Sequence, residues 1–373
     1  MTKKANIIII SLFTAFIGLF FVINIVLPDR EFSERENRYL QQAPAFSLKA
    51  LFSGDFTSDF ETCTTDQFVL RDDWTTLKAR CELLMGKKEN NGVYYCADGM
   101  LITRFKAPAD SVIDTNTAYI NELVKNVNVP VYFTLIPGKS EIEAACLPAH
   151  APNDSQKSII DRAYAQSSAK TLDMDSELTA HAGEYIFYRT DHHWTSLGAY
   201  YGSQVIRGAM DLPSKGLDSY TPSTVSDKFY GTVYSASGFS WVKPDSIQTF
   251  VPDDGSASLT SYQTGQALPV GLYNTSFLSM KDKYSMFLGG NTPRLVIKTA
   301  NTKAPKLLII RDSFTDSLAP FLMDSFSEID LLDMRYFRGS VKEYAAEGGF
   351  DSILVIYSVD TFCTDTNLFL LGM

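Results

Sequence analysis

Lys306-Leu307-Leu308-Ile309-Ile310-Arg311-Asp312-Ser313-Phe314 is the stretch on which the reading of this chain turns. Its apolar run has no polar face, so it reads as a buried strand, and the strand runs straight into an Asp-Ser turn. Three more runs have the same character: Val129-Pro130-Val131-Tyr132-Phe133-Thr134-Leu135-Ile136, then Ile329-Asp330-Leu331-Leu332-Asp333, then Ile353-Leu354-Val355-Ile356. Residues 114–124, 158–168 and 196–210 carry helical patterns, the last with Thr195 as its N-cap. Strands alternating with helices predict an α/β fold, a parallel sheet with helices on both faces. Such sheets hold ligands at the carboxyl ends of their strands, which is where Ser313 falls.

Around this core the character changes. Residues 214 to about 300 are dense in Gly, Ser, Thr, Tyr and Pro with short apolar runs, and read as a β-rich insertion. Asn90-Asn91-Gly92 and Asp98-Gly99 flank Val93-Tyr94-Tyr95-Cys96, which suggests a small hairpin. Residues 56–85 have loosely helical apolar spacing, and 28–60 read as a polar stalk dotted with aromatics. At the N-terminus Lys3 and Lys4 precede an uncharged, mostly apolar stretch from Ala5 to Leu27. About 20 residues suffice to cross the hydrocarbon, and the lysines favour a cytoplasmic short end, so the remainder is expected outside. A cleaved signal peptide is the alternative, but Ile25-Val26-Leu27-Pro28-Asp29 offers no small-x-small site. The expected organisation is a cytoplasmic end at 1–4, a transmembrane anchor at 5–27, a stalk and helical lead-in at 28–90 and the α/β domain at 91–373.

Composition bounds the function. A hydrophobic fraction of 45% excludes wholesale disorder, and a net charge of −10 argues against a nucleic-acid binder, which needs a basic face. The five cysteines show no CxxC and no His at ligand spacing, so a zinc site is not expected; no other metal and no cofactor is expected either. One or two disulfides and buried free thiols are equally compatible with that count.

Two segments carry candidate chemistry: Tyr188-Arg189-Thr190-Asp191-His192-His193-Trp194-Thr195, a loop before a helix, and the Asp312-Ser313 turn. A serine hydroxyl needs an imidazole to take its proton and a carboxylate to fix the imidazole's tautomer. Asp191 and His193, two apart in an extended loop, leave the backbone on the same side and could supply both. His192 points the other way and reads as structural. A helix-capping loop with buried histidines is the plainer alternative for this segment.

These residues also carry a resemblance. The chain resembles the DHHW family of exported proteins, similar to the periplasmic proteins that O-acetylate alginate and to the SGNH-hydrolase-like enzymes. The matching stretches are Ser33-Glu34-Arg35-Glu36-Asn37-Arg38, Ile136-Pro137-Gly138-Lys139-Ser140-Glu141, Thr190-Asp191-His192-His193-Trp194-Thr195, Asp282-Lys283-Tyr284 with Phe287-Leu288-Gly289-Gly290-Asn291, and Arg311-Asp312-Ser313-Phe314. The resemblance implies an SGNH-hydrolase-like, flavodoxin-like sheet, with Asp191 as orienting acid, His193 as base and Ser313 as nucleophile. It implies an O-acetyltransferase or esterase acting on a cell-envelope or exported polysaccharide, with a membrane-bound acyltransferase as acetyl-donating partner. Asn291 could add an oxyanion donor, and Lys139, Arg189 and Arg311 could contact substrate. One departure matters: Arg311 stands where the family pattern has Gly. If that glycine supplies an unusual backbone angle, the alternative is a non-catalytic carbohydrate-binding or scaffolding protein of a secretion complex.

Overall fold

The computed structural model describes residues 3–252, 257–263 and 266–373, and divides into two compact units, Met1–Asn91 with Gly238–Ser240 and Gly92–Ser237 with Trp241–Met373.

The first unit begins with α1 (Lys3–Val26), whose 24 residues bury no side chain. At 1.5 Å per residue it is about 36 Å long, enough by length and composition to cross a membrane, and it is a candidate span. After a short helix at Leu48–Ser53 come α2 (Asp55–Asp66) and α3 (Arg71–Leu84), separated at Leu70 by a left-handed backbone (φ 58°) that no helix continues through. The α1 end is tied to that corner: the Asn24 amide oxygen accepts from Val69 N–H at 2.8 Å, and Phe20 stacks on Phe68. Arg38 grips the buried Asp66 carboxylate with both guanidinium nitrogens, at 2.8 and 2.6 Å.

The second unit opens on the expected hairpin, β1 (Val93–Tyr95) antiparallel to β2 (Leu101–Thr103), turning through left-handed Asp98 and Gly99. Then come α4 (Asp110–Asn126), β3 (Val131–Ile136), α5 (Gln156–Gln166), β4 (Lys170–Thr171), α6 (Met174–Ala180) and α7 (Ser196–Ala209). After them run β5 (Tyr220–Phe229), α8 (Thr232–Ser237), β6 (Asp245–Pro252), β7 (Ser258–Gln263), β8 (Gln266–Val270) and β9 (Arg294–Lys298). The chain closes with β10 (Lys306–Arg311), α9 (Thr315–Leu318), β11 (Glu328–Leu332), α10 (Val341–Gly348), β12 (Ser352–Ser358) and α11 (Val359–Thr364).

The large sheet has the order β8-β7-β9-β11-β10-β12-β3-β4. Strands β11, β10, β12, β3 and β4 are mutually parallel, whereas β9, β7 and β8 extend one edge antiparallel, so the sheet is mixed and mostly parallel. This revises the reading of residues 214–300 as an insertion. Only β5 and β6 stand apart as a two-stranded ribbon; β9 pairs with β11 (Leu295↔Leu331, Ile297↔Ile329) and puts those side chains into the common core. Residues 253–256 and 264–265 of that segment lie outside the described residues.

Alternation along the central strands builds two cores. Leu307, Ile309, Leu354 and Ile356 face the layer that includes α6 and α7, and Leu308, Ile310, Ile353 and Val355 face α4 and α5. Because the central strands run parallel, the segments after β3, β10 and β12 emerge on one edge, and there Gly138, Phe314 and Ser358 line one cavity of about 260 Å³. Among the described residues no disulfide joins any of the five cysteines.

Candidate active site

The histidine loop is closed at its base by an isolated bridge, Phe187 to Trp194, with Tyr188 N–H donating to His193 O at 3.2 Å and Thr195 N–H to Ile186 O at 2.8 Å. Thr195 caps α7 by accepting from Gly198 N–H, and its hydroxyl donates back to Tyr185 O at 2.8 Å. α7 can approach the loop only because two of its residues lack a side chain. A Cβ on Gly198 would sit 2.4 Å from Ile186 O, and one on Gly202 would sit 2.9 Å from the Trp194 ring.

From this loop Asp191 and His193 project together. His193 Nδ1 lies 2.6 Å from Asp191 Oδ1, and the same oxygen accepts His193 N–H at 3.0 Å. The other carboxylate oxygen accepts from Thr232 N–H at 2.8 Å and Thr232 Oγ at 3.1 Å. Burial alone would raise the Asp191 pKa. The two adjacent imidazoles and the hydrogen bonds from His193 and Thr232 outweigh it and hold the carboxyl well below the usual range. An ionised Asp191 makes Nδ1 the donor, which leaves Nε2 as an acceptor, and Nε2 lies 2.7 Å from Ser313 Oγ.

The serine turn is fixed just as closely. Asp312, fully buried, accepts from Phe314 N–H at 3.1 Å with one oxygen, and from Ser358 N–H and Oγ at 2.8 and 2.7 Å with the other. The turn after β10 is thereby pinned to the end of β12. Trp194, also fully buried, ties the two segments together: its indole N–H points at Phe314 O and Ser317 Oγ, each at 3.0 Å. Tyr284 lies flat on the His193 ring (centroids 3.7 Å apart, planes 7° apart) and donates its hydroxyl to Ser313 O at 3.1 Å. Burial pushes the Tyr284 phenol well above its ordinary pKa, so it stays a neutral donor.

The remaining expected residues have other work. Arg311 is fully buried and therefore out of reach of substrate: its guanidinium donates to Asp316 Oδ1 at 2.7 Å. Burial pushes the Asp316 carboxyl up to about 7 against the pull of that arginine. Neither Arg311, Asp312 nor Ser313 has a positive φ, so the turn forms without the glycine that Arg311 replaces. Lys139 is buried too, its ammonium spent on the backbone carbonyls of Leu101 (2.6 Å), Tyr188 (2.9 Å) and Arg189 (3.3 Å); it braces the histidine loop. Arg189 is a third exposed, beside Asp245 at 3.6 Å and over the Tyr185 ring. Asn291 is exposed and its Oδ1 accepts from Arg335 at 3.3 Å; no hydrogen bond joins it to Ser313 or His193 among the described residues.

Asp191, His192 and His193 place ligand-type atoms within 4.8 Å of one another. A metal there would have to compete for donors already engaged, since both His193 nitrogens and His192 Nδ1 (2.7 Å from Thr232 Oγ) hold hydrogen-bond partners.

Sequence reasoning passed over Thr232, Gly231 and Asp245. Thr232 supplies two hydrogen bonds to Asp191 from 41 residues away, and a Cβ on Gly231 would fall 2.2 Å from the Asp191 side chain. Asp245 accepts from Arg189 N–H (2.9 Å), Thr190 N–H (2.8 Å) and Thr190 Oγ (2.5 Å), which anchors the loop just ahead of Asp191. Gly231 followed by a hydroxyl residue was the only local signal, and it is a common pair.

Fold and site together define an α/β protein with a carboxylate, an imidazole and a serine hydroxyl in hydrogen-bonded series at the carboxyl edge of a mostly parallel sheet. Residues 103–332 match the model of the DHHW protein family, and the chain belongs to that family. The crystal structure of a DHHW family protein from Eubacterium siraeum is similar to it, with a TM-score of 0.66 and 26% identity, covering 76% of this chain and 95% of that one. Bacillus cereus PatB1, solved with a sulfonyl adduct, shares the fold at a TM-score of 0.63 and 20% identity, covering 74% of this chain and 96% of that one. In sequence, the probable alginate O-acetylase AlgJ of Pseudomonas aeruginosa is 27% identical over 177 residues, which is 43% of this chain and 44% of that protein. The match thus spans less than half the length of that relative.

Proposed function

We propose that the chain is a membrane-anchored, extracytoplasmic serine O-acyltransferase, with esterase activity as its hydrolytic counterpart, acting on hydroxyls of a cell-envelope or exported polysaccharide. The observation that carries this reading is the unbroken series Asp191 Oδ1, His193 Nδ1, His193 Nε2, Ser313 Oγ, with links of 2.6 and 2.7 Å. Both are within the reach that general-base catalysis requires. The family pattern and the name of the relative AlgJ support the acetyl group and the glycan acceptor. The fold is read as SGNH-hydrolase-like.

In this mechanism Ser313 Oγ attacks the acyl carbonyl carbon as its proton passes to His193 Nε2, and Asp191 stabilises the resulting imidazolium. The oxyanion forms beside the turn, where Ser313 N–H has no acceptor among the described residues and is the donor assigned to it. The intermediate collapses with loss of the donor's oxygen, which leaves with the proton from His193. The sugar hydroxyl then attacks the acyl-enzyme carbonyl, giving its proton to His193 Nε2, and Ser313 Oγ departs with that proton. Water in place of the sugar gives hydrolysis. Phe314, His192, Thr232 and Ser358 line the cavity of about 260 Å³ next to the relay. That is just below the span of ordinary small-ligand sites and fits a short acyl group.

With α1 spanning the membrane and Lys3-Lys4 inside, the second unit lies outside, where a membrane-bound acyltransferase would hand over the acetyl group. The test is turnover of p-nitrophenyl acetate by the full-length chain in detergent. Ser313→Ala and His193→Ala are each expected to reduce it by about 10³-fold or more. Turnover that both variants retain would sink the assignment.

A further inference from the structure

Where the chain turns between α2 and α3 it brings a second apolar surface against α1, all within the first unit. Phe20 of α1 stacks on Phe68, with centroids 5.9 Å and planes 5° apart, and its ring lies 5.7 Å from that of Trp74. Phe16 and Ile17, further into α1, line a concavity of about 480 Å³ with the same two residues. Toward the C-terminal end of α1 the contacts become polar. Asn24 Oδ1 accepts from Val69 N–H at 2.8 Å. Beyond the helix, Arg30 N–H donates to Gln67 Oε1 at 2.9 Å, and the Arg30 guanidinium reaches Asp72 at 3.5 Å. The order of these partners gives the depth of the corner. Phe20 is seven residues before Leu27, the last residue of the apolar stretch, and so lies about 10 Å inside it. Phe68 and Trp74, packed on Phe20, share that depth.

Leu70 points to the same surroundings. It is 59% exposed, has a left-handed backbone and stands at the N-cap of α3 with no side-chain capping bond. A left-handed backbone is costly for leucine, and Asn, Asp or Ser caps a helix better. Water gives no reason for an exposed leucine there; lipid does. Onward from Leu70, the residues Trp74, Leu77, Cys81 and Leu84 fall on one side of α3 at helical spacing, and all are exposed. Asp73, Lys78 and Arg80 border this stripe, the pattern of a helix lying at a membrane surface.

We propose that the α2–α3 corner is a second membrane-seated element, with Phe68, Leu70 and Trp74 sunk among the phospholipid acyl chains of the outer leaflet beside α1 and the stripe of α3 resting on the same leaflet. The inference rests on the reading of α1 as a membrane span. What covers the corner follows from α1: the same lipid that solvates Phe16 and Phe20 reaches the side chains packed against them. Two seats in the bilayer fix the tilt of the first unit, which a lone helix on a stalk does not.

The full-length chain in phosphatidylcholine vesicles, photolabelled with an aryl diazirine that partitions into lipid and analysed by peptide mass spectrometry, tests this. Label is expected in α1 and also in residues 67–84. Trp74 fluorescence, read as wild type minus Trp74→Phe, is expected to be quenched at least twofold more by phosphatidylcholine carrying a nitroxide on its acyl chain than by one carrying it on the headgroup. Leu70→Asp suits the capping position better and is expected to keep the melting temperature in detergent, to leave the α1 label unchanged and to lower the acyl-chain quenching by about twofold or more. Label in α1 alone, with Trp74 reached by neither nitroxide, would overturn the proposal and leave the span standing; a protein partner or a second copy over the corner would give that result. Stronger quenching from the headgroup, or acyl-chain quenching that Leu70→Asp leaves unchanged, would also overturn it. Label in neither segment would remove the span and the proposal together.

Discussion

Replacing Asp191 by Asn turns one acceptor oxygen into an NH2 donor, removes the charge and changes almost nothing in volume, which makes it the sharpest perturbation of the relay. The carboxylate accepts four hydrogen bonds: His193 N–H and Nδ1 on one oxygen, Thr232 N–H and Oγ on the other. An amide has one oxygen and must turn its NH2 to one side. Facing His193, it meets the backbone N–H and forces Nδ1 to accept, which puts the imidazole proton on Nε2, where it cannot take the Ser313 proton. Facing Thr232, it opposes that backbone N–H, leaving a buried donor unmet at a cost of about 1–3 kcal/mol. The negative charge that stabilises an imidazolium is lost either way. Loss of that charge together with a mispopulated tautomer predicts a fall in kcat of about 10³–10⁴-fold, or about 4–5 kcal/mol at 1.36 kcal/mol per decade. The assay is p-nitrophenyl acetate turnover by full-length protein, with thermal melts alongside. The Asp191 pKa is depressed in the fold, so its contribution to stability is present above the unfolded carboxylate value near 4 and is lost as pH falls through the lower folded value. Wild type should therefore melt above Asp191→Asn at pH 7, with the gap closing below about pH 4. An Asp191→Asn protein within threefold of wild-type turnover would refute the assignment of Asp191 as the orienting acid.

Four other outcomes follow from the same geometry. Gly231→Ala puts a methyl 2.2 Å from the Asp191 side chain, so turnover should fall about 10²-fold or more while circular dichroism stays native; unchanged turnover would mean that the loop yields freely. Trp194→Phe keeps an aromatic ring but deletes the donor to Phe314 O and Ser317 Oγ, and should cost about 1–3 kcal/mol in chemical denaturation. Lys139→Met strands the carbonyls of Leu101 and Tyr188 and should lower the melting temperature by several degrees while lowering kcat more than it changes KM. Tyr284→Phe retains the ring over His193 and loses the bond to Ser313 O, so it should be milder than Tyr284→Leu, which loses both; the reverse order would count against stacking as the dominant contact.

The parallel core was legible because burial on both faces writes itself into four or more consecutive apolar residues, as in Leu307-Leu308-Ile309-Ile310, with no need to know the neighbours. Thr195 as a cap was legible for the same local reason. The antiparallel edge was not. β7 and β9 are short strands placed by long-range pairing, β9 with β11 and β7 with β9, and a segment such as Arg294–Lys298 reads the same in a free ribbon as in a main sheet. At the site, residue type in short stretches nominated Asp191, His193 and Ser313, which the structure brings within hydrogen-bond distance. The same reasoning misplaced charge. Lys139 and Arg311 looked available because cations usually sit at surfaces, yet each is buried among specific acceptors that only the fold assembles. Thr232, Gly231 and Tyr284 act across 41, 40 and 91 residues from the loop they support; Tyr284 lies in a stretch that carries the resemblance, but nothing local gives any of the three its role.

The central claim is that Ser313 is the nucleophile and that His193 activates it. Brief treatment of the full-length protein with phenylmethylsulfonyl fluoride, followed by peptide mass spectrometry, tests it directly. The account predicts a sulfonyl adduct on the peptide carrying Ser313, formed in wild type and suppressed in His193→Ala. Modification elsewhere with Ser313 untouched, or equal labelling of Ser313 with and without His193, would contradict it.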